Sequence, residues 1–239
     1  MVVFCSLSEG EPNRRKVRLD TSMTSREDIS AMRRQYGEAG LTESELPTNP
    51  VDLFNTWLSE AAKNEIVVEA NAMVLSTVID NQPSSRTVLL KDLTNDGFTF
   101  FTNYGSRKAK QIEKNQNVSL LFPWYPLERQ VIVLGTAKKI SKSESEKYFA
   151  SRPRGSQIGA WASAQSEELN SRDELESEYA QLEKKWPEGA IVPMPDHWGG
   201  YVVWPTSIEF WQGRYSRLHD RIRYLRSENN DWQIKRFYP

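Results

Sequence analysis

Five clusters of cationic and hydroxyl-bearing residues stand out, and each could hold an anion. Arg86-Thr87-Val88-Leu89-Leu90-Lys91 sets an Arg and a Lys among aliphatic residues, which suits a phosphate beside an apolar ring. Strict strand alternation puts Arg86 and Lys91 on opposite faces, so either a bulge intervenes or the two serve different groups. Thr102-Asn103-Tyr104-Gly105-Ser106-Arg107-Lys108 reads as a strand end, a tight turn and a helix start, where free N–H groups and the helix dipole favour an anion. Tyr148 and Arg152 share a helix face, and Ser156, just past Pro153, can converge on the same point. Gln165-Ser166 is a polar pair following Trp161. Arg217-Leu218-His219-Asp220-Arg221, if extended, turns Arg217, His219 and Arg221 to one face, which calls for an anionic ligand or a carboxylate partner. His219 could orient a ligand or exchange a proton near neutral pH. Singly, each cluster is also what a solvated strand end, a helix cap or a snorkelling arginine would leave. Together they point to small phosphorylated ligands, because no acid pair, nucleophile elbow or metal-ligand spacing competes. Neither GxGxxG nor GxxxxGK[ST] occurs.

Composition narrows the field further. The 239 residues carry 31 Lys+Arg against 32 Asp+Glu, a formal net charge of -1, and a nucleic-acid binder would be basic. No apolar run approaches the roughly 20 residues of a membrane helix. The single Cys5 excludes an internal disulfide and a cysteine-rich metal site, and His197 and His219 leave little for a histidine one, so no metal is expected. Met1–Leu7 is apolar but short, and Arg14, Arg15, Lys16 and Arg18 follow it, the reverse of an export signal. The cytoplasm is the expected location. Residues 1–25 read as a disordered tail ahead of one domain over 26–239.

The elements that must position these clusters are mostly strands. Asn49 and Pro50 open a helix whose apolar face is Val51, Phe54, Trp57, Leu58 and Ala61. Asn71–Ile79 and Ser84–Leu93 flank the turn Asp80-Asn81-Gln82-Pro83, and Asn95-Asp96-Gly97 signals a hairpin into Phe98–Asn103. Ser106 caps a short helix to about Asn115. Val118–Trp124 and Gln130–Ile140 form another pair. Ser143 with Glu146 reads as the capping box of a helix ending at Ser151 before Pro153. Ser171 with Glu174 opens a helix whose stripe is Leu175, Tyr179 and Leu182. After the loop Pro187–Pro195 come Tyr201–Trp204, Ser207–Gln212, Asp220–Arg226 and Trp232–Phe237 as strands, the last two joined by the turn 228–231. Seven or eight strands in meander order, without βαβ alternation, predict an α+β fold: an antiparallel sheet or barrel with peripheral helices.

The chain closely resembles the pyridoxamine/pyridoxine 5′-phosphate oxidase family. The likeness rests on Asn71-Ala72-Met73, RTVLLK (86–91), FTNYGSRK (101–108), Arg129-Gln130-Val131, YFASRPRGSQIGAW (148–161), Gln165-Ser166, Trp198-Gly199-Gly200, EFWQG (209–213) and RLHDR (217–221). It implies a split β-barrel, FMN as cofactor, and a homodimer with FMN at the subunit interface. It further implies oxidation of pyridoxamine or pyridoxine 5′-phosphate to pyridoxal 5′-phosphate by O2, releasing H2O2, in vitamin B6 metabolism, with no nucleic-acid or membrane partner. By position it assigns Arg86, Lys91, Arg107 and Lys108 to the flavin phosphate and ribityl region. The backbone from Thr87 through Val88 and Leu89 to Leu90 would run along the flavin, with Phe101, Thr102 and Gln130 nearby. Gln165, Ser166, Trp211 and Arg221 would complete that site. Lys91, Tyr148, Arg152 and Ser156 would hold the substrate phosphate, Arg217, Leu218 and His219 would flank its ring, and Arg33, Arg34, Gln35 and Tyr36 would close over it. Arg217 and His219 are the implied catalytic pair. Three positions depart from the family pattern: Gln116, Ile132 and Arg214, the last beside the substrate loop. A carrier or sensor without turnover, and a nicotinamide-dependent flavin reductase, are the alternatives from other classes.

Overall fold

Asn49 and Pro50 open the first helix, α1 (Pro50–Lys63), and the Asn49 side chain accepts the Val51 N–H at 3.0 Å. Its predicted stripe is the buried one, with Phe54, Trp57 and Ala61 facing inward. The computed structural model describes residues 35–37 and 39–239. The expected tail, 1–25, and the lid residues Arg33 and Arg34 lie outside the described residues.

Among the described residues nine strands form one antiparallel sheet: β1 (Ala72–Ile79), β2 (Gln82–Leu89), β3 (Asp92–Thr94), β4 (Gly97–Asn103), β5 (Asn117–Trp124), β6 (Arg129–Lys139), β7 (Trp198–Gln212), β8 (Asp220–Arg226) and β9 (Trp232–Phe237). Four further helices, α2 (Arg107–Lys114), α3 (Lys142–Ser151), α4 (Arg154–Ala162) and α5 (Arg172–Lys185), complete an α+β fold. The order is β2-β1-β5-β6-β7-β4-β3, with β8 on β7 and β9 on β8. The sheet is therefore no simple meander: β1 pairs with β5 and β4 with β7 across long sequence separations. The sheet does not close, but the Lys91 N–H donates to Thr99 O at 2.8 Å, so the end of β2 meets β4. None of the described helices is long and apolar enough to cross a membrane.

Several boundaries differ from expectation for identifiable reasons. The expected strand Ser84–Leu93 is two, β2 and β3, because the chain changes hydrogen-bonding partner at Leu90 and Lys91: the Leu90 N–H bonds Asn71 O and the Lys91 N–H bonds Thr99 O. Conversely Tyr201–Trp204 and Ser207–Gln212 are one strand. The register against β6 shifts between Leu134 and Gly135, and Thr206 is the extra residue of a bulge that accommodates Pro205. Gly135 is required there, since a Cβ would lie 2.1 Å from Trp204 O. The capping box of α3 uses Ser141 and Glu144, not Ser143 and Glu146. Ser106 stands at the N-cap of α2 but makes no side-chain cap bond; its Oγ accepts from Lys108 Nζ instead. Helix α4 was not expected, because Pro153 and two glycines obscure its periodicity.

The main core lies between α1 and the sheet. The Phe54 ring meets those of Phe98 and Phe122 edge-on at 5.0 and 4.8 Å, and Trp57 meets Phe210 at 5.3 Å. Phe54 is fully buried. Phe54→Ala is expected to cost about 3–5 kcal/mol in urea unfolding, and a loss below about 1 kcal/mol would remove α1 from the core. A second cluster, Phe149, Ile158, Leu182 and Trp198, fastens α3, α4 and α5 to the start of β7.

Candidate active site

Where that second cluster meets the ends of β2 and β4, a cavity of about 760 Å³ opens. Thr87, Val88, Leu89 and Lys91 form one wall, with Thr87, Leu89 and Lys91 sharing strand parity. Arg86 has the other parity and does not line the cavity. The two side chains thus stand in different surroundings, Lys91 on the cavity and Arg86 against Thr77, Ser84 and Gln111. Phe101 and Thr102 enter from β4, and Lys108 from the first turn of α2. Tyr148, Arg152 and Ser156 converge as their spacing implied, Arg152 at the C-cap of α3 and Ser156 in the first turn of α4. Gln165 closes the rim.

The charge distribution is one-sided. Lys91, Lys108 and Arg152 line the cavity, and no Asp or Glu does so among the described residues. Lys108 is buried, and its ammonium donates only to neutral acceptors: Gln165 Oε1 at 2.7 Å, Thr102 Oγ1 at 3.0 Å and Ser106 Oγ at 3.3 Å. Burial, and then the nearby Arg86 guanidinium, lower its pKa to about 8. Arg86 likewise meets only neutral groups, Thr77 Oγ1 and Ser84 Oγ at 2.6 Å, Gln111 Oε1 at 3.0 Å and Leu75 O at 3.3 Å. Burial and then Arg107 lower its pKa. The Arg152 guanidinium stacks on the Trp198 ring at 4.7 Å, and its Nη1 is buried without a partner. Burying cations without counter-charges is unfavourable unless an anion completes the site. The Tyr148 ring lies parallel to that of Phe101 at 3.9 Å, giving a flat apolar surface beside the cations.

Other expected site residues lie elsewhere. Leu90 is in the core behind the cavity. Arg107 and Ser166 border a second groove with Gln111. Gln130, Trp211, Arg217, Leu218, His219 and Arg221 do not line the cavity. They cluster near the far end of β7, where Gln130 pairs with Trp211 and Trp211 with Arg221. Trp198, on the cavity wall, and Trp211 are thirteen residues apart on one strand, about 40 Å of extended chain.

In this second cluster the extended reading of 217–221 fails for Arg217. Ser216 and Arg217 take left-handed φ of 55° and 62° in a short 3-10 turn, and β8 begins only at Asp220. Such a backbone on two non-glycine residues stores strain, as binding loops often do. The carboxylate partner alternative holds for Arg221: Glu209 accepts its Nε at 3.0 Å and Nη2 at 3.1 Å, and also takes Arg223. Burial would raise the Glu209 pKa, but the hydrogen bonds from Arg221 and Arg223 bring it below the ordinary value. His219 Nδ1 accepts the Arg214 N–H at 3.0 Å, leaving the ring proton on Nε2. Burial, and then Arg217, lower its pKa, so it is a neutral donor at neutral pH. Tyr36 rests edge-on against both Trp211 and His219, and Gln35 is exposed beside it. Sequence reasoning gave no role to Glu209 or Gln111. Gln111 sits one helical turn from Arg107, which was an available signal, whereas Glu209 meets Arg221 and Arg223 only across the β7–β8 pairing and had no local one.

Residues 59–186 match the family described as "Pyridoxamine 5'-phosphate oxidase", and 198–239 match its "C-terminal dimerisation region". A pyridoxine/pyridoxamine 5′-phosphate oxidase of Streptomyces avermitilis is 49% identical over 224 residues, covering 91% of this chain and all of that protein. One of Rubrobacter xylanophilus is 53% identical over 215 residues, covering 90% and 98%. Among solved structures, PhzG from Burkholderia lata 383, in complex with tetrahydrophenazine-1-carboxylic acid, superposes with a TM-score of 0.78 at 30% identity, covering 85% of this chain and all of that one. An FMN-binding protein of Nostoc punctiforme related to pyridoxamine 5′-phosphate oxidase shares the fold, with a TM-score of 0.65 at 16% identity over 81% of this chain and all of that one. With about half the residues identical along almost the whole of its relatives, the chain belongs to the pyridoxamine 5′-phosphate oxidase family.

Proposed function

We propose that the protein oxidises pyridoxamine or pyridoxine 5′-phosphate to pyridoxal 5′-phosphate with FMN and O2, as a homodimer. The observation that carries this reading is the cavity's set of cations without carboxylates, Lys91, Lys108 and Arg152. Two phosphorylated heterocycles would supply the missing charge. The donor set fits FMN: Lys108 and Arg86 are satisfied only by neutral atoms, and the flat wall of Thr87–Leu89 suits a ring. When bound, FMN would supply the two-electron oxidation of the substrate C4′ carbon, with O2 the final acceptor and H2O2 the product, and with water consumed and NH3 released from the amine substrate.

The chain's own residues bind and orient. Lys91, Tyr148, Arg152 and Ser156 would grip the substrate phosphate, with the unpartnered Arg152 Nη1 as a free donor. Arg86, Arg107 and Lys108 would hold the flavin phosphate side, with Gln165 and Ser166. Anchoring the phosphate places the ring for reaction. Arg217 and His219 would flank that ring, and a neutral His219 with its proton on Nε2 donates a hydrogen bond and does not act as a base through Nδ1. Because these two stand at the far end of β7, a second copy would bring them to the cavity, which agrees with the dimerisation match over 198–239.

The test is a visible spectrum followed by anaerobic addition of pyridoxine 5′-phosphate. Bleaching of a yellow protein, with peroxide formed once air returns, is the expected result. A colourless protein, or flavin bleached by NADH but not by the vitamer, would overturn the proposal. Arg217→Ala is expected to keep FMN bound while turnover at limiting substrate falls by about 100-fold. FMN loss with unchanged single-turnover chemistry would reassign Arg217 to the cofactor.

A further inference from the structure

The segment entering from Gln35 crosses the Trp211–His219 cluster and is held there by an ionic network outside the cavity. The Tyr36 ring lies 5.8 Å from Trp211 and 5.3 Å from His219, edge-on to both. The Gly37 N–H donates to Glu128 Oε2 at 2.7 Å. The Leu41 N–H donates to Asp220 Oδ2 at 3.0 Å. Asp220 is buried and follows His219 directly in the chain. Its Oδ2 also accepts Arg214 Nη1 at 3.2 Å, and its Oδ1 accepts Arg236 Nη1. Arg236 continues to Leu41 O at 2.6 Å and to both Glu43 oxygens. Arg214 lies against the crossing segment, since a Cβ on Gly40 would stand 2.7 Å from its Nη1. The same Arg214 staples the loop through its backbone, whose N–H holds His219 Nδ1.

We infer that Arg214, Asp220 and Arg236 form an ionic latch that fastens Tyr36, Gly37, Gly40 and Leu41 across Trp211 and His219, making Arg214 a positioning residue that governs retention of the phosphorylated substrate. The inference rests on the oxidase reading for its kinetic consequence, but the latch itself is a matter of geometry. One carboxylate serves two guanidiniums and a backbone N–H, so the ionic ties at Gly40 and Leu41 converge on Asp220, while Glu128 holds Gly37 separately. Among the described residues the Arg214 guanidinium makes a single 3.2 Å contact from a loop, whereas Arg236 on β9 is also held by Glu43 and Leu41 O. The Arg214 pairing is therefore the weaker of the two and the one that can open without unfolding β8 or β9. Its backbone bond to His219 does not depend on the side chain. Loss of the guanidinium therefore loosens the segment at Gly40 and Leu41, which Arg236 and Glu128 still tether, and leaves the ring in place.

The test compares FMN-loaded wild type, Arg214→Ala and Arg214→Lys by hydrogen–deuterium exchange over residues 35–41 and by steady-state kinetics with pyridoxine 5′-phosphate. Arg214→Ala is expected to speed exchange at Gly37 and Leu41 by about fivefold, raise KM by a similar factor and leave kcat within about twofold. Arg214→Lys should recover part of both effects. Unchanged exchange in Arg214→Ala, or faster exchange with unchanged KM, would overturn the latch. A wild-type protein that does not oxidise the vitamer at all would overturn the oxidase reading, and the exchange result would still decide whether the segment is latched.

Discussion

Replacing Lys108 with Met is expected to weaken FMN binding by about 10- to 100-fold while making the FMN-free protein more stable. The two effects have opposite signs for one reason. In the free protein the Lys108 ammonium is buried against Thr102, Ser106 and Gln165, none of them charged, with the Arg86 guanidinium near enough to lower its pKa further. Methionine keeps the packing of the stem and removes the desolvated charge. Of the three acceptors, Thr102 Oγ1 and Gln165 Oε1 keep each other at 3.1 Å and only the Ser106 hydroxyl loses its partner, a smaller cost than the desolvated charge. A gain on the order of 1–3 kcal/mol at pH 7 follows for the FMN-free protein.

The pH dependence fixes the sign independently. Lys108 titrates at about 8 in the folded chain against an ordinary 10.5. Between these values the unfolded chain holds a proton that the folded chain has lost, so the penalty fades and FMN-free wild type gains stability as pH rises from about 8 to 10.5. A bound phosphate restores the proton. FMN affinity should therefore fall over the same window, by up to about tenfold per pH unit, and this fall should be absent in Lys108→Met. Titration calorimetry at pH 7 and pH 9 measures both. A variant that binds FMN as wild type does, or that loses stability without FMN, would show that Lys108 is a structural lysine.

How far such a site can be read from sequence depends on whether its parts are local. The cations of β2 and α2 and the Tyr148–Arg152–Ser156 set were legible because strand and helix periods alone place them. Asn49-Pro50 and the stripe of α1 were legible for the same reason. What failed depended on partners distant in the chain. The break between β2 and β3 is set by Asn71, just before β1, and Thr99 of β4, whose carbonyls accept the Leu90 and Lys91 N–H groups. The continuity of β7 through Pro205 depends on Gly135 in the neighbouring strand. The alternation assumed for 217–221 was broken by a left-handed turn at Ser216 and Arg217, which no turn residue announces. The pairing of β1 with β5 and of β4 with β7 has no local signature. The resemblance named the site residues together, but their separation into two clusters is visible only in the fold.

That separation predicts complementation between two inactive chains. Arg152 lies on the cavity wall, and Arg217 lies past the far end of β7, about 40 Å of strand away. If each site takes its phosphate grip from one chain and its Arg217 and His219 from the other, Arg152→Ala and Arg217→Ala damage different halves. Each variant alone should lose about 10- to 100-fold in kcat/KM, since each removes a charge-assisted contact to the ligand. Co-expressed in equal amounts, the two would give about half hybrid dimers. In a hybrid, one site collects both substitutions and the other neither. Near a quarter of all sites would then be intact, and the mixture should recover about a quarter of wild-type activity at limiting substrate. Purification through two different tags should raise this to about half, because only hybrids remain. Were both halves drawn from a single chain, every site in the hybrid would carry one substitution, and the mixture would stay as inactive as its parents. Recovery thus requires that the short route from Trp211 and His219 to a cavity lead into the neighbouring subunit, and its absence would return Arg217 to its own chain.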